Sequence, residues 1–181
     1  MIIRKASKAD NKYLAQLHIS VFPGFFLSTL GEKFLTTYYK VVLKHPETIC
    51  LFAEDEEANI CGYVLGRINA KGYLKRIVKS APLVFIWEAI KLLFTRPKAL
   101  FRLINNLDKK RDDSEVRDEQ DYAEIGLIGV LPQHKGQGIG HRLFNEFVEI
   151  LKKNGVAKIY MMDGELCFVP MWYFDVWMFV E

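Results

Sequence analysis

Between Val130 and Gly140 the chain reads Val-Leu-Pro-Gln-His-Lys-Gly-Gln-Gly-Ile-Gly, with glycines at 136, 138 and 140. Glycine adopts positive φ at little steric cost and lets a ligand approach the main chain closely. Apolar residues recur at helical spacing just beyond (Leu143, Phe147, Ile150, Leu151), so the loop opens onto a helix start whose unpaired N–H groups favour negative charge. Such a turn binds anions, and a pyrophosphate suits it. Upstream, one acid, Glu124, stands near the start of an apolar run through Ile125, Leu127, Ile128 and Val130. A carboxylate there is a candidate proton acceptor.

These groups need particular elements to hold them. The spacing predicts a buried strand over Ala123 to Val130, then the glycine turn, then a helix with Lys152 and Lys153 in its last turn and Asn154-Gly155 as its stop. Two other loops of that order are excluded by their glycine spacing. A dinucleotide fingerprint needs its third glycine three residues after the second, whereas Gly140 follows Gly138 by two and position 141 is His. A nucleotide-triphosphate loop ends in Gly-Lys followed by Ser or Thr, and Ile139-Gly140-His141 has neither the lysine nor the hydroxyl.

Ahead of this unit, Ile2 to Lys5 is expected to form a strand. Ser7 and Asp10 cap a helix carrying Leu14 and Leu17 inward. A second helix is expected from about Leu30 to Lys44, ended by His45-Pro46, and then a hairpin of Thr48 to Glu54 and Ile60 to Ile68 around Asp55 to Asn59. Residues 71–118 read as a helical insertion, with apolar segments at 73 to 94 and 99 to 107, followed by a charged linker from Asp108 to Gln120. From Lys71 to Leu107 eight bases face one acid, Glu88. That stretch reads either as a patch that attracts phosphates or an anionic surface, or as a solvated helix exterior.

Half of the 181 residues are hydrophobic, enough for one substantial core, and a single domain over residues 1–181 is expected. The longest apolar stretch, Leu83 to Phe94, is interrupted by Glu88 and Lys91 and falls short of the roughly twenty residues that span a bilayer. With a charged start at Met1 to Asp10, a cytoplasmic location without a transmembrane segment is expected. Cys50, Cys61 and Cys167 lack metal-ligand spacing, so no metal is expected. No helix-turn-helix or aromatic-interleaved basic pattern points to nucleic acid. His18, His134 and His141 stand alone, without a triad partner, and receive no catalytic role.

Val130, Pro132, Gly136, Gly138, Ile139 and Gly140 together resemble the acyl-CoA-binding motif of the GNAT superfamily of N-acetyltransferases, Gln/Arg-x-x-Gly-x-Gly/Ala. The preferred register puts Lys135 first, where the family favours Arg or Gln; shifted by two, Gln133 to Gly138 also fits. The resemblance implies an α+β, three-layer fold: a mixed, mostly antiparallel central sheet flanked by helices, with the helical insertion between strands 3 and 4. It implies acetyl transfer from acetyl-CoA to a primary amine by direct attack in a ternary complex, or a CoA-binding module of the same fold without turnover. Backbone groups of Ile128, Gly129 and Val130 would pair with the pantetheine arm. Lys135, Gly136, Gln137, Gly138, Ile139, Gly140 and His141 would surround the pyrophosphate.

By the same resemblance Glu124 is the candidate base, and a surface glutamate at a strand edge is the competing reading. Tyr173 is the candidate proton donor to the departing thiolate, against a packing aromatic among Trp172, Phe174 and Trp177. Phe22, Phe25 and Phe26 lie where family members contact the acceptor. That acceptor is expected to be a small-molecule amine, an amino sugar among the options, or a protein amine. The family's signature after the fifth strand is missing, no clear final strand follows Lys158 to Met162, and the aromatic C-terminus suggests a homodimer contact.

Overall fold

A computed structural model describes residues 1–112, 122–156, 158–163 and 165–170. Strand β1 (Ile2–Lys5) leads through a 3-10 turn to helix α1 (Asn11–Val21). The turn is set by a capping box, in which the Ser7 hydroxyl accepts from the Ala9 N–H and the Asp10 carboxylate from the Ser7 N–H. A short helix α2 (Phe26–Thr29) and helix α3 (Glu32–Val42) follow, separated by Gly31 at φ 90°. Strands β2 (Thr48–Glu54) and β3 (Ile60–Arg67) form the hairpin, its turn tied by the Asp55 carboxylate, which accepts from the N–H groups of Glu57 and Asn59. The insertion is three helices, α4 (Tyr73–Ser80), α5 (Pro82–Thr95) and α6 (Pro97–Asp112). Then come β4 (Ala123–Val130), α7 (Ile139–Lys153), β5 (Lys158–Asp163) and β6 (Glu165–Pro170).

The strands form one sheet in chain order, antiparallel at every junction except β4 with β5, which run parallel. Helix α7 makes that parallel crossover. Side chains alternate across β2: Ile49, Leu51 and Ala53 join Leu143, Phe147 and Leu151 of α7 on one face, while Cys50 and Phe52 join Leu14, Leu35 and Tyr39 of α1 and α3 on the other. Both faces are covered, so the central strands read as nearly unbroken apolar runs. This is the expected mixed sheet between helical layers, with the insertion between β3 and β4. The insertion packs on α2 and α3 through Leu92 and Leu100 against Leu30 and Phe34.

Several expectations are corrected. The segment after Val21 contains α2, a single turn too short for periodicity to register. The insertion breaks at Ala81, ahead of Pro82 at the start of α5, so the expected segment at 73 to 94 is two helices. Helix α6 continues through Asp112, so the linker's first residues are helical. A final strand is present: β6 returns antiparallel on β5 from Glu165↔Asp163 to Pro170↔Lys158. Its run, Leu-Cys-Phe-Val, is apolar at successive positions and lacks the alternation that marks a half-exposed strand. Tyr173 and the rest of the aromatic C-terminus lie outside the described residues.

Candidate active site

Strand β4 is where the sheet changes character. Opposite β3 its register runs Val130↔Gly62 to Leu127↔Leu65 and then resumes at Ile125↔Gly66, so Gly126 is an extra residue, a β-bulge. On its other side β4 pairs with β5 only at Ala123↔Ile159, Glu124↔Tyr160 and Ile125↔Met161. Beyond the bulge, from Leu127 to Val130, that edge has no ladder partner among the described residues. Backbone groups there are free to bind an extended ligand as an added strand would.

The open edge points toward the glycine turn. A 3-10 turn, Pro132–His134, leads through Lys135 to Gly136 at φ 75° and Gly138 at φ 72°, the latter being the N-cap of α7. A Cβ built on either glycine meets nothing within 4 Å, so the backbone faces open space. Gly140, expected to share the positive φ, lies in the first turn of α7 with helical backbone; two glycines, not three, make the turn. Ile139 is buried and pins the helix start to the core, whereas Lys135, Gln137 and His141 are exposed around it. The unpaired N–H groups of that first turn and the bare loop together fit a phosphate-bearing ligand.

Phe22, at the end of α1, meets the Phe25 ring at 4.8 Å between ring centres and a tilt of 55°, and approaches Tyr63 edge-on at 6.2 Å. A Cβ on Gly129 would collide with Val21 and press on the Phe22 ring, so this glycine lets the end of α1 lean directly on β4. Phe26 lies apart from that pair and packs toward the insertion, with the Arg102 guanidinium 5.1 Å above its ring. Thus Phe22 and Phe25 border the open strand edge through Gly129, and Phe26 does not join them.

Glu124 is buried, which removes the surface-glutamate reading. Its partner is Arg67, directly across the ladder: Arg67 Nε donates to Oε2 at 3.0 Å and Nη2 to Oε1. The guanidinium lies 5.1 Å over the Tyr73 ring, and the Tyr73 hydroxyl shares a 2.5 Å hydrogen bond with Thr48 Oγ1. Burial would lower the Arg67 pKa, but the field and hydrogen bonds of Glu124 outweigh it and hold the arginine cationic. Burial raises the pKa of the nearby Tyr38 phenol, with Arg67 opposing and Glu124 adding. Sequence reasoning missed Arg67. Its signal was a lone cation ending an otherwise apolar strand.

His18 is also placed anew. It is fully buried on α1, and its Nδ1 shares a 2.7 Å hydrogen bond with the Tyr39 hydroxyl and a 3.3 Å one with that of Tyr63. Burial lowers its pKa to about 4, so the ring is neutral near pH 7. No group of three potential ligand residues could hold a metal ion among the described residues.

Comparison with known proteins gives a partial family match and a shared fold. Residues 99–167 match the family model of the acetyltransferase (GNAT) family. No curated protein matches the sequence. Among solved structures, an acetyltransferase from Vibrio fischeri superposes with a TM-score of 0.51 at 17% identity, covering 89% of this chain and 94% of that one. An aminoglycoside N-acetyltransferase in complex with CoA gives 0.55 at 12% identity, covering 90% of this chain and 76% of that one. A glucosamine N-acetyltransferase region of a fungal multi-domain β-N-acetylglucosaminidase gives 0.54 at 13%, covering 90% of this chain and 13% of that one.

Proposed function

We propose, from the match of residues 99–167 to the GNAT family model and the fold shared with a Vibrio fischeri acetyltransferase, an N-acetyltransferase that moves an acetyl group from acetyl-CoA to a primary amine by direct attack in a ternary complex. The observation that carries this reading is the junction of an open β4 edge with a bare glycine turn at the head of α7. The N–H groups from Gly136 to His141 would hold the pyrophosphate, with Lys135 as a nearby cation and Gln137 and Ile139 in the same turn. Ile128, Gly129 and Val130 would pair with the pantetheine arm. Bound acetyl-CoA supplies the acetyl carbon and a thiolate leaving group.

For the transfer to balance, the amine nitrogen bonds to the acetyl carbon, the carbon–sulfur bond breaks, and the ammonium proton must already have left. Glu124 is the proposed acceptor of that proton. Both its oxygens bind Arg67, but each retains a second lone pair, and the proton reaches one directly or through a water. A backbone N–H near Val130 would stabilise the oxyanion; loss of one such donor in other enzymes costs about 3–4 kcal/mol. Tyr173 is proposed to return a proton to the thiolate. Phe22 and Phe25 support a ring-bearing acceptor, and an amino sugar is the proposed class, in keeping with the glucosamine and aminoglycoside substrates named for two structural neighbours. Phe26 packs toward the insertion and takes no part in this proposal.

The occupied carboxylate of Glu124 favours one second reading, a CoA-binding module without turnover. Calorimetry with acetyl-CoA on the wild type and on Gly138→Asp tests the donor site. Binding in the wild type, weakened at least tenfold in a variant that still folds, supports the proposal; no binding to the wild type overturns it. Release of CoA with glucosamine, a polyamine or an N-terminal peptide then separates enzyme from module. Glu124→Gln should lower kcat by about 10²–10⁴ with the KM for acetyl-CoA retained, the range for a lost general base.

A further inference from the structure

Helix α5 is turned against its own composition. Its inward side carries Glu88, whose carboxylate is buried and accepts a 2.7 Å hydrogen bond from Lys91 Nζ, together with Leu92. Its outward side carries Leu83, Ile86, Trp87, Ile90, Leu93 and Phe94, all between 42% and 82% exposed. Their spacing of three and four residues makes one continuous stripe along the helix. On the neighbouring helices, Leu74 and Val78 of α4 and Phe101 and Ile104 of α6 are exposed as well. Large side chains left exposed side by side along a helix mark a binding face.

The cations lie along the same flanks. Lys75 and Lys79 follow Leu74 and Val78 by one residue each, Lys98 precedes Phe101 by three, and the Lys91 ammonium sits 5.8 Å over the Trp87 ring. Lys75, Lys79 and Lys98 have no carboxylate partner among the described residues, and the one acid of the stretch faces inward. An apolar helix face with aromatic residues, edged by lysine, is the pattern of an element that lies in the plane of a bilayer interface. No helix among the described residues is long and apolar enough to cross a membrane, so the element would lie on the surface. A second copy is the poorer occupant: a two-fold contact sets the same patch against itself, and here that brings like charges together.

We propose that the exposed face of α5, with the adjoining flanks of α4 and α6, docks the protein on an anionic phospholipid surface. This inference stands apart from the acetyl-transfer reading, because it uses no residue of the β4 edge or the glycine turn. The test is co-sedimentation of the full chain with vesicles of phosphatidylcholine alone and of phosphatidylcholine mixed with phosphatidylglycerol, which carries the negative surface potential that draws basic side chains. The protein should bind the anionic vesicles and not the neutral ones. Lys75→Ala and Lys79→Ala should each weaken binding about fivefold. Leu83→Ser with Phe94→Ser should abolish it, with the circular dichroism and Tm of the wild type retained, because both side chains already face solvent.

A second readout checks that the face is open. With Trp172→Phe and Trp177→Phe, Trp87 is the sole indole; its emission should be that of a water-exposed ring and shift to the blue on adding anionic vesicles. Emission already blue and shielded from iodide without lipid would mean that another copy or another part of the chain covers the stripe, and would overturn the proposal. So would equal binding to both vesicle types, no binding to either, or binding indifferent to the α5 substitutions.

Discussion

Arg67 and Glu124 face each other at the end of β3 and the start of β4, the carboxylate buried, the guanidinium partly so, and joined by two hydrogen bonds. Removing the arginine leaves the buried Glu124 carboxylate without its partner. Arg67→Met should therefore cost about 3–5 kcal/mol in urea unfolding, while Arg67→Met with Glu124→Met recovers most of it. His18 makes a prediction of opposite origin. Its folded pKa of about 4 lies below the ordinary 6.5, so between those values the unfolded chain binds more protons and stability falls as pH falls. Full protonation costs about 3 kcal/mol relative to pH 7, and His18→Gln should flatten that acid limb in unfolding curves measured from pH 7 to pH 4. Of these residues, Glu124 was legible as a lone acid in an apolar strand. Arg67 and the His18–Tyr39–Tyr63 contact were not, because their partners lie up to 57 residues away in the chain.

At the scale of elements, most of the sheet could be read directly. Strands β2 (Thr48–Glu54) and β4 (Ala123–Val130) announce themselves by short apolar runs between turn signals, and α7 by its stripe and its Asn154-Gly155 stop.

 

Beta strands β2, β3 and β4 were legible because both faces of the sheet are covered, and α7 because its stripe faces the sheet. Less legible were α2 and β6: one is a single turn, and the apolar run of the other merges into the aromatic stretch from Phe168 to Glu181. The close approach of strand to helix was also hidden in the sequence. A Cβ on Gly66 would collide with the Glu124 carbonyl and the Phe147 ring, so Gly66→Ala must force β3, β4 or α7 apart. Because a backbone atom is in the way and cannot rotate aside, the cost should reach about 3 kcal/mol, the upper end for overpacking, seen as a fall in the urea midpoint with an unchanged slope.

For the whole molecule, sequence patterning foretold an insertion and its charge but not its orientation. A stripe of apolar residues on α5 ordinarily predicts the buried side. Here the side carrying Glu88 is buried instead, since Leu92 completes the contact with Leu30, Phe34 and Leu100. Three-residue pairing of β4 with β5 has a further consequence, for how the molecule opens. The first four strands are bound to one another by antiparallel ladders, whereas among the described residues β5 is laddered to them at Ala123, Glu124 and Ile125, with Ile159 packed in the core beneath. In native-state hydrogen exchange the two parts should behave as separate cooperative units. Amides of Ile159 and Tyr160 should exchange at a lower free energy than those of Leu51 and Val64, and that seam is where the protein would begin to come apart.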